Sequence, residues 1–180
     1  KICLLNLKEQ FPNKKIILLF GCGGNRDQKK RSKMGKIASD YSNEIYLTDD
    51  NPRFEDPRKI RDDIKKGIQN TLIKEIPNRE QAISEAVKNL YTGDILLVAG
   101  KGHEKTQDFG KKKIFFSDKK IILDCIKLKN INLSKNLKIN IIKELSKIKY
   151  KMPLEKADKA SINSKEVNKN DIFFAIKGKK

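Results

Sequence analysis

The sequence predicts an α/β fold, a mostly parallel sheet with helices on both faces, followed by a short α+β extension at the carboxyl end. Three observations carry this. The apolar run Ile16-Ile17-Leu18-Leu19-Phe20 is continuous rather than alternating, as a strand buried on both faces requires, and Ile95-Leu96-Leu97-Val98 is a second short apolar run. Stretches with helical spacing separate the strand-like runs, so strand and helix alternate along the chain. Glycine-rich or polar loops stand where strands end, on the edge at which parallel sheets bind ligands.

Taken in order, a helical stretch over Ile2 to Phe11 leads to a first strand, Lys14 to Phe20, which runs into Gly21-Cys22-Gly23-Gly24-Asn25-Arg26-Asp27. Backbone N–H groups of such a loop can approach an anion closely, and a helix starting near Ser32 adds its positive end. The spacing matches neither the dinucleotide fingerprint nor the phosphate loop with its Lys-Ser/Thr, so structural turn and anion site both stay open. Along the helix Ser32 to Tyr41, the residues Met34, Ile37, Ala38 and Tyr41 recur at helical spacing and predict a core face.

The second strand, Glu44 to Thr48, delivers Thr48-Asp49-Asp50-Asn51-Pro52-Arg53. Two carboxylates, an amide and a guanidinium stand together, with a proline stiffening the turn, and the set suits a zwitterion. Arg53 offers a planar fork for a carboxylate, Asn51 can donate to the same group, and Asp50 can take an ammonium. Turn and capping chemistry with a solvated arginine is the plainer alternative for the tetrapeptide alone. Asp56-Pro57 reads as an N-cap and first-turn proline of a helix running to about Gln69. A short strand, Thr71 to Ile76, precedes a helix from Asn78 to Leu90 with Ala82, Ile83, Ala86, Val87 and Leu90 on one face. The next strand, Asp94 to Ala99, ends in Gly100-Lys101-Gly102-His103-Glu104, where Glu104 is a better ligand group than His103, the only histidine. A hairpin-like piece, Lys113 to Phe116, comes before Ser117-Asp118, the cap of a last helix, Lys119 to Lys127.

With 180 residues the chain has room for one domain of ordinary size, or one and a piece of another. Hydrophobic residues make up only 37%, yet they are gathered into runs that can build a core. A net charge of +18 raises nucleic acid or an anionic membrane as partners. The lysines are nevertheless spread along the chain with no aromatic interleaving, which reads as solvated faces and argues against both. Cys3, Cys22 and Cys125 have no metal-ligand spacing and an odd count, as in reduced, cytoplasmic proteins. The chain begins inside a helical pattern and stops on a lysine pair after a glycine, as a piece of a longer protein would.

The series Phe-Gly-Cys-Gly-Gly-Asn-Arg-Asp from Phe20, Met34-Gly35, the Thr48 to Arg53 loop and Ala99-Gly100-Lys101-Gly102-His103-Glu104 resembles the C-terminal domain of the Mur ligases. Within that family it is similar to the diaminopimelate-adding type (MurE). Order and spacing agree over Lys14 to about Lys127. The resemblance implies a Rossmann-like sheet and a part in ATP-dependent addition of meso-diaminopimelate to UDP-MurNAc-L-Ala-D-Glu, a step of peptidoglycan precursor synthesis. It places Arg26, Asp50, Asn51, Pro52, Arg53, Gly100 and Glu104 at the amino-acid site. Lysine lacks the second carboxylate of diaminopimelate, and Arg53 supplies the cation that such a carboxylate needs.

The same resemblance implies ATP and Mg2+, held mainly by a central domain whose phosphate loop, magnesium ligands and modified lysine are not in these residues. It also implies a first strand with an Asp-Tyr-Ala-His motif upstream of Lys1. No catalytic residue and no metal ligand is assigned within the chain, which alone is expected to be inactive.

The organisation expected is 1–127 as the amino-acid-binding domain, 128–152 as a linker or opening helix, with helix over Ser134 to Lys147, and 153–180 as a separate segment. The stretch Ala160 to Gly178 resembles the N-terminal, UDP-sugar-contacting motif of a second Mur ligase, with Ser164 as the candidate contact. Asn163, Lys165 and Asn170 depart from the motif's Asp, Arg and Gly. A fused pair is implied, its second member most simply the D-alanyl-D-alanine-adding type (MurF). A strand pair without a ligand is the alternative. For the whole chain the rival readings are a basic nucleic-acid-binding module, whose retention on heparin or DNA would persist at physiological salt, and a stand-alone anion- or nucleotide-binding domain.

Overall fold

In the computed structural model, residues 1–146, 159–161 and 171–173 are described. Residues 1–129 and 130–180 form two compact units.

The first unit is built on a four-stranded parallel sheet: β1 (Ile16–Phe20), β2 (Glu44–Leu47), β3 (Leu72–Glu75) and β4 (Ile95–Val98), in the spatial order β3-β2-β1-β4. Between them run α2 (Lys29–Tyr41), α3 (Pro57–Lys65) and α4 (Arg79–Lys88), with α1 (Ile2–Gln10) ahead of β1. The chain moves outward from β1 to β3, and α4 then carries it back to the far side of β1. That reversal makes the carboxyl end of β1 and β4 a switch point, where an open α/β sheet leaves a crevice.

Every residue of β1 is buried, and its side chains alternate between two cores. Ile16, Leu18 and Phe20 join Ile45, Leu47, Leu4, Ala38, Ile60 and Ile64 on the face covered by α1, α2 and α3. Ile17 and Leu19 join Tyr46, Ala82, Ile83, Ala86 and Val87 on the face covered by α4 and by α5 (Asp118–Ser146), which contributes Ile121, Ile122 and Cys125. The expected parallel sheet with helices on both faces is the observed one. The cap read at Asp56 forms, its carboxylate accepting from the Arg58 N–H at 2.9 Å, and Asn78 caps α4 in the same way by accepting from the Gln81 N–H at 3.0 Å.

Several elements differ from expectation. Helix α2 begins at Lys29, before Ser32, and Met34 lies 40% exposed rather than in the core. Gly35 replaces it as the packing residue, because a Cβ there would meet the Ile64 carbonyl oxygen of α3 at 2.1 Å. Helix α3 ends at Lys65 instead of near Gln69, since the Gly67 N–H turns back to the Ile64 carbonyl at 3.0 Å and Gly67 abuts the backbone of Ser32. The Lys113 to Phe116 piece is β6 (Lys113–Phe115), paired antiparallel with β5 (Thr106–Asp108), a strand with no apolar run to announce it. The two helices expected at Lys119 to Lys127 and Ser134 to Lys147 are one, α5, because no Gly or Pro interrupts Leu128-Lys129-Asn130-Ile131-Asn132-Leu133.

In the second unit, β7 (Lys159–Ser161) pairs in parallel with β8 (Asp171–Phe173). Ser164, Asn163, Lys165 and Asn170 lie outside the described residues.

Buried arginines tie the helices to the loops. Arg31 of α2, almost wholly buried, bridges Glu55 at 2.8 Å and Asp63 at 3.3 Å. The Arg31 guanidinium holds the Glu55 carboxyl below the ordinary carboxylate range. A depressed folded value stabilises the fold above the unfolded value, about 4.3, and that contribution disappears as pH falls through the folded value. Glu55→Gln is therefore expected to flatten the loss of stability between about pH 5 and pH 3 in urea titrations. An unaltered slope would mean that the pair contributes nothing to acid sensitivity.

Candidate functional site

Three loops meet at the carboxyl edge of the sheet, after β1, β2 and β4. The β1 and β2 loops are locked together by backbone: the Gly24 N–H donates to the Asn51 carbonyl at 2.8 Å, and a Cβ on Gly24 would lie 1.9 Å from the Pro52 carbonyl oxygen. From below, the β5–β6 hairpin props the β2 loop. Gln107, itself buried, donates from Nε2 to the Asp50 carbonyl at 2.7 Å, and the Arg53 N–H donates to the Asp108 carbonyl at 3.0 Å.

A cleft of about 420 Å³ opens between these loops, lined among others by Gly21, Arg26, Asp50 and Gly100. Arg26 is exposed at its rim. Arg53 has a left-handed backbone, φ 52°, and its Nη1 donates to the Gly24 carbonyl at 2.6 Å, directly beside Gly23. A non-glycine residue in that conformation is uncommon, and it turns the guanidinium back toward the glycine loop. Gly100 packs so close to Asp50 that a Cβ would stand 3.2 Å from its carboxylate. Pro52 is buried, holding the turn.

Asn51 is used differently from the expectation that it donates to a ligand carboxylate. Its Oδ1 accepts from the Asp108 N–H at 3.0 Å and from Lys101 Nζ at 2.8 Å, while its Nδ2 donates to Glu104 Oε2 at 2.9 Å. It is a buried connector between the β2 and β4 loops. The hydrogen bond from Asn51 is the main reason the Glu104 carboxyl sits below the ordinary range, with the Lys101 charge assisting. Glu104 keeps a half-exposed side chain.

Asp49 takes no part in the cleft. It pairs with Arg61 of α3, which also bridges Glu75 at 2.8 Å. Burial lifts the Asp49 carboxyl above its usual value in spite of that partner. Cys22 lies on the cleft floor with its thiol 3.6 Å from the Met34 sulfur, and burial pushes it up to about 11, so it is no nucleophile at neutral pH. His103 is exposed in the β4 loop.

The structure thus brings Arg26, Asp50, Asn51, Pro52, Arg53, Gly100 and Glu104 to one edge. Sequence reasoning overlooked Lys101, whose ammonium is buried among Asp50, Asn51 and Glu104, and Arg79, which bridges Asp118 at 2.7 Å and donates to the Ala99 carbonyl at 3.0 Å just before the β4 loop. The signal for Lys101 was present, a lone cation between two glycines close to candidate carboxylates. The signal for Arg79 was not, since its partner lies far along the chain.

Residues 1–102 match the family model described as Mur ligase, glutamate ligase domain. The chain belongs to the Mur ligase family. Among relatives of this Mur ligase chain, the UDP-N-acetylmuramoyl-L-alanyl-D-glutamate–2,6-diaminopimelate ligase of Rickettsia rickettsii is 53% identical over 114 residues, 63% of this chain and 24% of that protein. The enzyme of the same name from Buchnera aphidicola subsp. Baizongia pistaciae is 49% identical over 135 residues, 74% of this chain and 27% of its own length. A solved structure of a ligase with that name superimposes with a TM-score of 0.67 at 37% identity, over 72% of this chain and 27% of that one. The chain spans about a quarter of the length of the curated relatives it matches.

Proposed function

We propose that the chain supplies the amino-acid-recognition part of a ligase that adds meso-diaminopimelate to UDP-MurNAc-L-Ala-D-Glu in peptidoglycan precursor synthesis. The observation that carries this reading is the pairing of opposite charges at one edge. The Arg53 guanidinium, held on the Gly24 carbonyl, and Arg26 at the cleft rim share this edge with the carboxylates of Asp50 and Glu104. Such a set accepts a ligand bearing both carboxylates and ammonium groups, and the arginine favours one with a distal carboxylate over lysine.

No Gly-x-x-x-x-Gly-Lys-Ser/Thr run occurs in the sequence, and among the described residues no cluster of His, Cys, Asp or Glu could hold a metal ion. ATP and Mg2+ belong, in this reading, to a central domain elsewhere in the ligase, where ATP supplies activation of the D-glutamate side-chain carboxylate as an acyl phosphate. The role of the present residues is positional. Holding the distal carboxylate and one ammonium leaves the other amine free to lose its proton and attack the acyl phosphate at a fixed distance, the amide bond forming as the C–O bond to phosphate breaks and inorganic phosphate leaves.

Residues 1–127 are read as that recognition domain, 128–152 as a joining segment, and 153–180 as the start of a second, MurF-like ligase in which Ser164 contacts a UDP-sugar. The reading places the protein in the cytoplasm, where its UDP-linked substrate is made. A reading frame with a phosphate loop on either side of this segment would support the fusion, and its absence downstream would end it.

Isothermal titration of the 180-residue chain with meso-diaminopimelate and with L-lysine tests the reading. Selective binding of the former is expected, and equal binding of both, or none, would count against it. The chain alone is expected to release no ADP from ATP in the presence of all substrates. Diaminopimelate-dependent ADP release by the pure chain would contradict a purely recognitional role.

A further inference from the structure

We propose that Lys101 is a positioning and specificity residue of this cleft, sharing one buried ammonium between Asp50 and Glu104 so that both carboxylates stay charged in the loops that meet the ligand. The inference rests on the diaminopimelate reading and goes beyond it, because Lys101 does not touch the ligand. Only 2% of Lys101 is exposed, so its nitrogen is closed off from the cleft. Nζ lies 3.4 Å from Asp50 Oδ1, 3.4 Å from Glu104 Oε2 and 2.8 Å from Asn51 Oδ1, with the Phe116 ring behind it at 6.0 Å. It acts through the two carboxylates.

Two carboxylates this close to one point repel each other unless a cation stands between them; without it one of them takes up a proton or swings away. With it, Asp50 and Glu104 against Lys101, Arg53 and Arg26 leave one net positive charge. Diaminopimelate, with two carboxylates and two ammonium groups, is neutral overall, whereas lysine carries one net positive charge. A net positive set disfavours the cationic ligand. Removing the Lys101 charge removes that excess, which shifts preference toward lysine. A residue that merely filled space would, on removal, weaken both ligands alike.

The test uses the 180-residue chain as Lys101→Met, which keeps the length and removes the charge, and as Lys101→Arg, which keeps the charge. Titration calorimetry reads the affinities for meso-diaminopimelate and L-lysine, and carbon-detected NMR reads the titration of the Glu104 carboxyl. In Lys101→Met, the affinity for diaminopimelate is expected to fall about tenfold or more, the ratio to lysine to move toward lysine, and the Glu104 midpoint to rise. Lys101→Arg is expected to stay near the parent ratio. Equal losses for both ligands, or an unmoved Glu104 midpoint, would overturn the proposal.

A parent chain that binds neither amino acid would overturn the diaminopimelate reading, and the Glu104 midpoint then decides the role of Lys101 by itself. Should Lys101→Met fail to fold, Asp50→Asn reads the same sharing from the other side. With one claimant gone, the ammonium serves Glu104 alone and its midpoint is expected to drop; no drop overturns the sharing.

Discussion

Replacing Arg53 by Ala is expected to cut kcat/KM for meso-diaminopimelate by roughly ten- to a hundred-fold in the ligase that carries this chain, the effect of losing a charge-assisted hydrogen bond of about 1.5 to 3 kcal/mol. Use of lysine, which has no distal carboxylate, is expected to change little or to improve as an unmatched guanidinium leaves the pocket. The ratio of the two kcat/KM values is the measurement. Arg53 also tethers the Gly24 carbonyl and sits at φ 52°, so a second variant separates its two duties. Arg53→Gly removes the charge and relieves the backbone at once. Equal shifts of the ratio in Arg53→Ala and Arg53→Gly would assign the effect to the guanidinium; a shift confined to Arg53→Ala would assign it to the loop. An unchanged ratio in both would move discrimination to Arg26 at the rim.

The second large effect is expected at Gly24. A Cβ there meets the Pro52 carbonyl oxygen at 1.9 Å, and that oxygen belongs to backbone, which cannot rotate aside. Gly24→Ala must separate the β1 and β2 loops, at a cost of about 1 to 3 kcal/mol in urea unfolding, with the candidate site disrupted along with the contact. Gly23 provides the contrast, because a Cβ there meets the mobile end of Arg53, Nη1, at 2.9 Å. Gly23→Ala is expected to leave stability within about 0.5 kcal/mol while weakening diaminopimelate binding. Parent-like stability in Gly24→Ala would show that the loops are not held against each other.

The central strands were legible because a strand buried on both faces has to be apolar throughout, and Ile16 to Phe20 is. Helix α4 was legible from the spacing of Ala82, Ile83, Ala86 and Val87, and the start of α3 from Asp56-Pro57, since caps are local chemistry. Strand β5 was not, because Thr106-Gln107-Asp108 is polar and is held by its partner and by the β2 loop that Gln107 supports. Met34 has the right period for the core and still faces the cleft, because Gly35 brings α2 so close to α3 that the contact between them is made by backbone.

By itself the sequence determined the alternation of strand and helix, the order of the three loops on one edge and the residue types gathered in those loops, because each depends on composition and period within a short window. The tertiary structure decided which of those charges remain available. Asp49 goes to Arg61, Asn51 to Lys101, Glu104 and the backbone of Asp108, and the Lys101 ammonium is divided between Asp50 and Glu104. Pairings of that kind join residues far apart in the chain, and a buried charge takes whichever partner the packed loops bring within reach, a choice that no local pattern records.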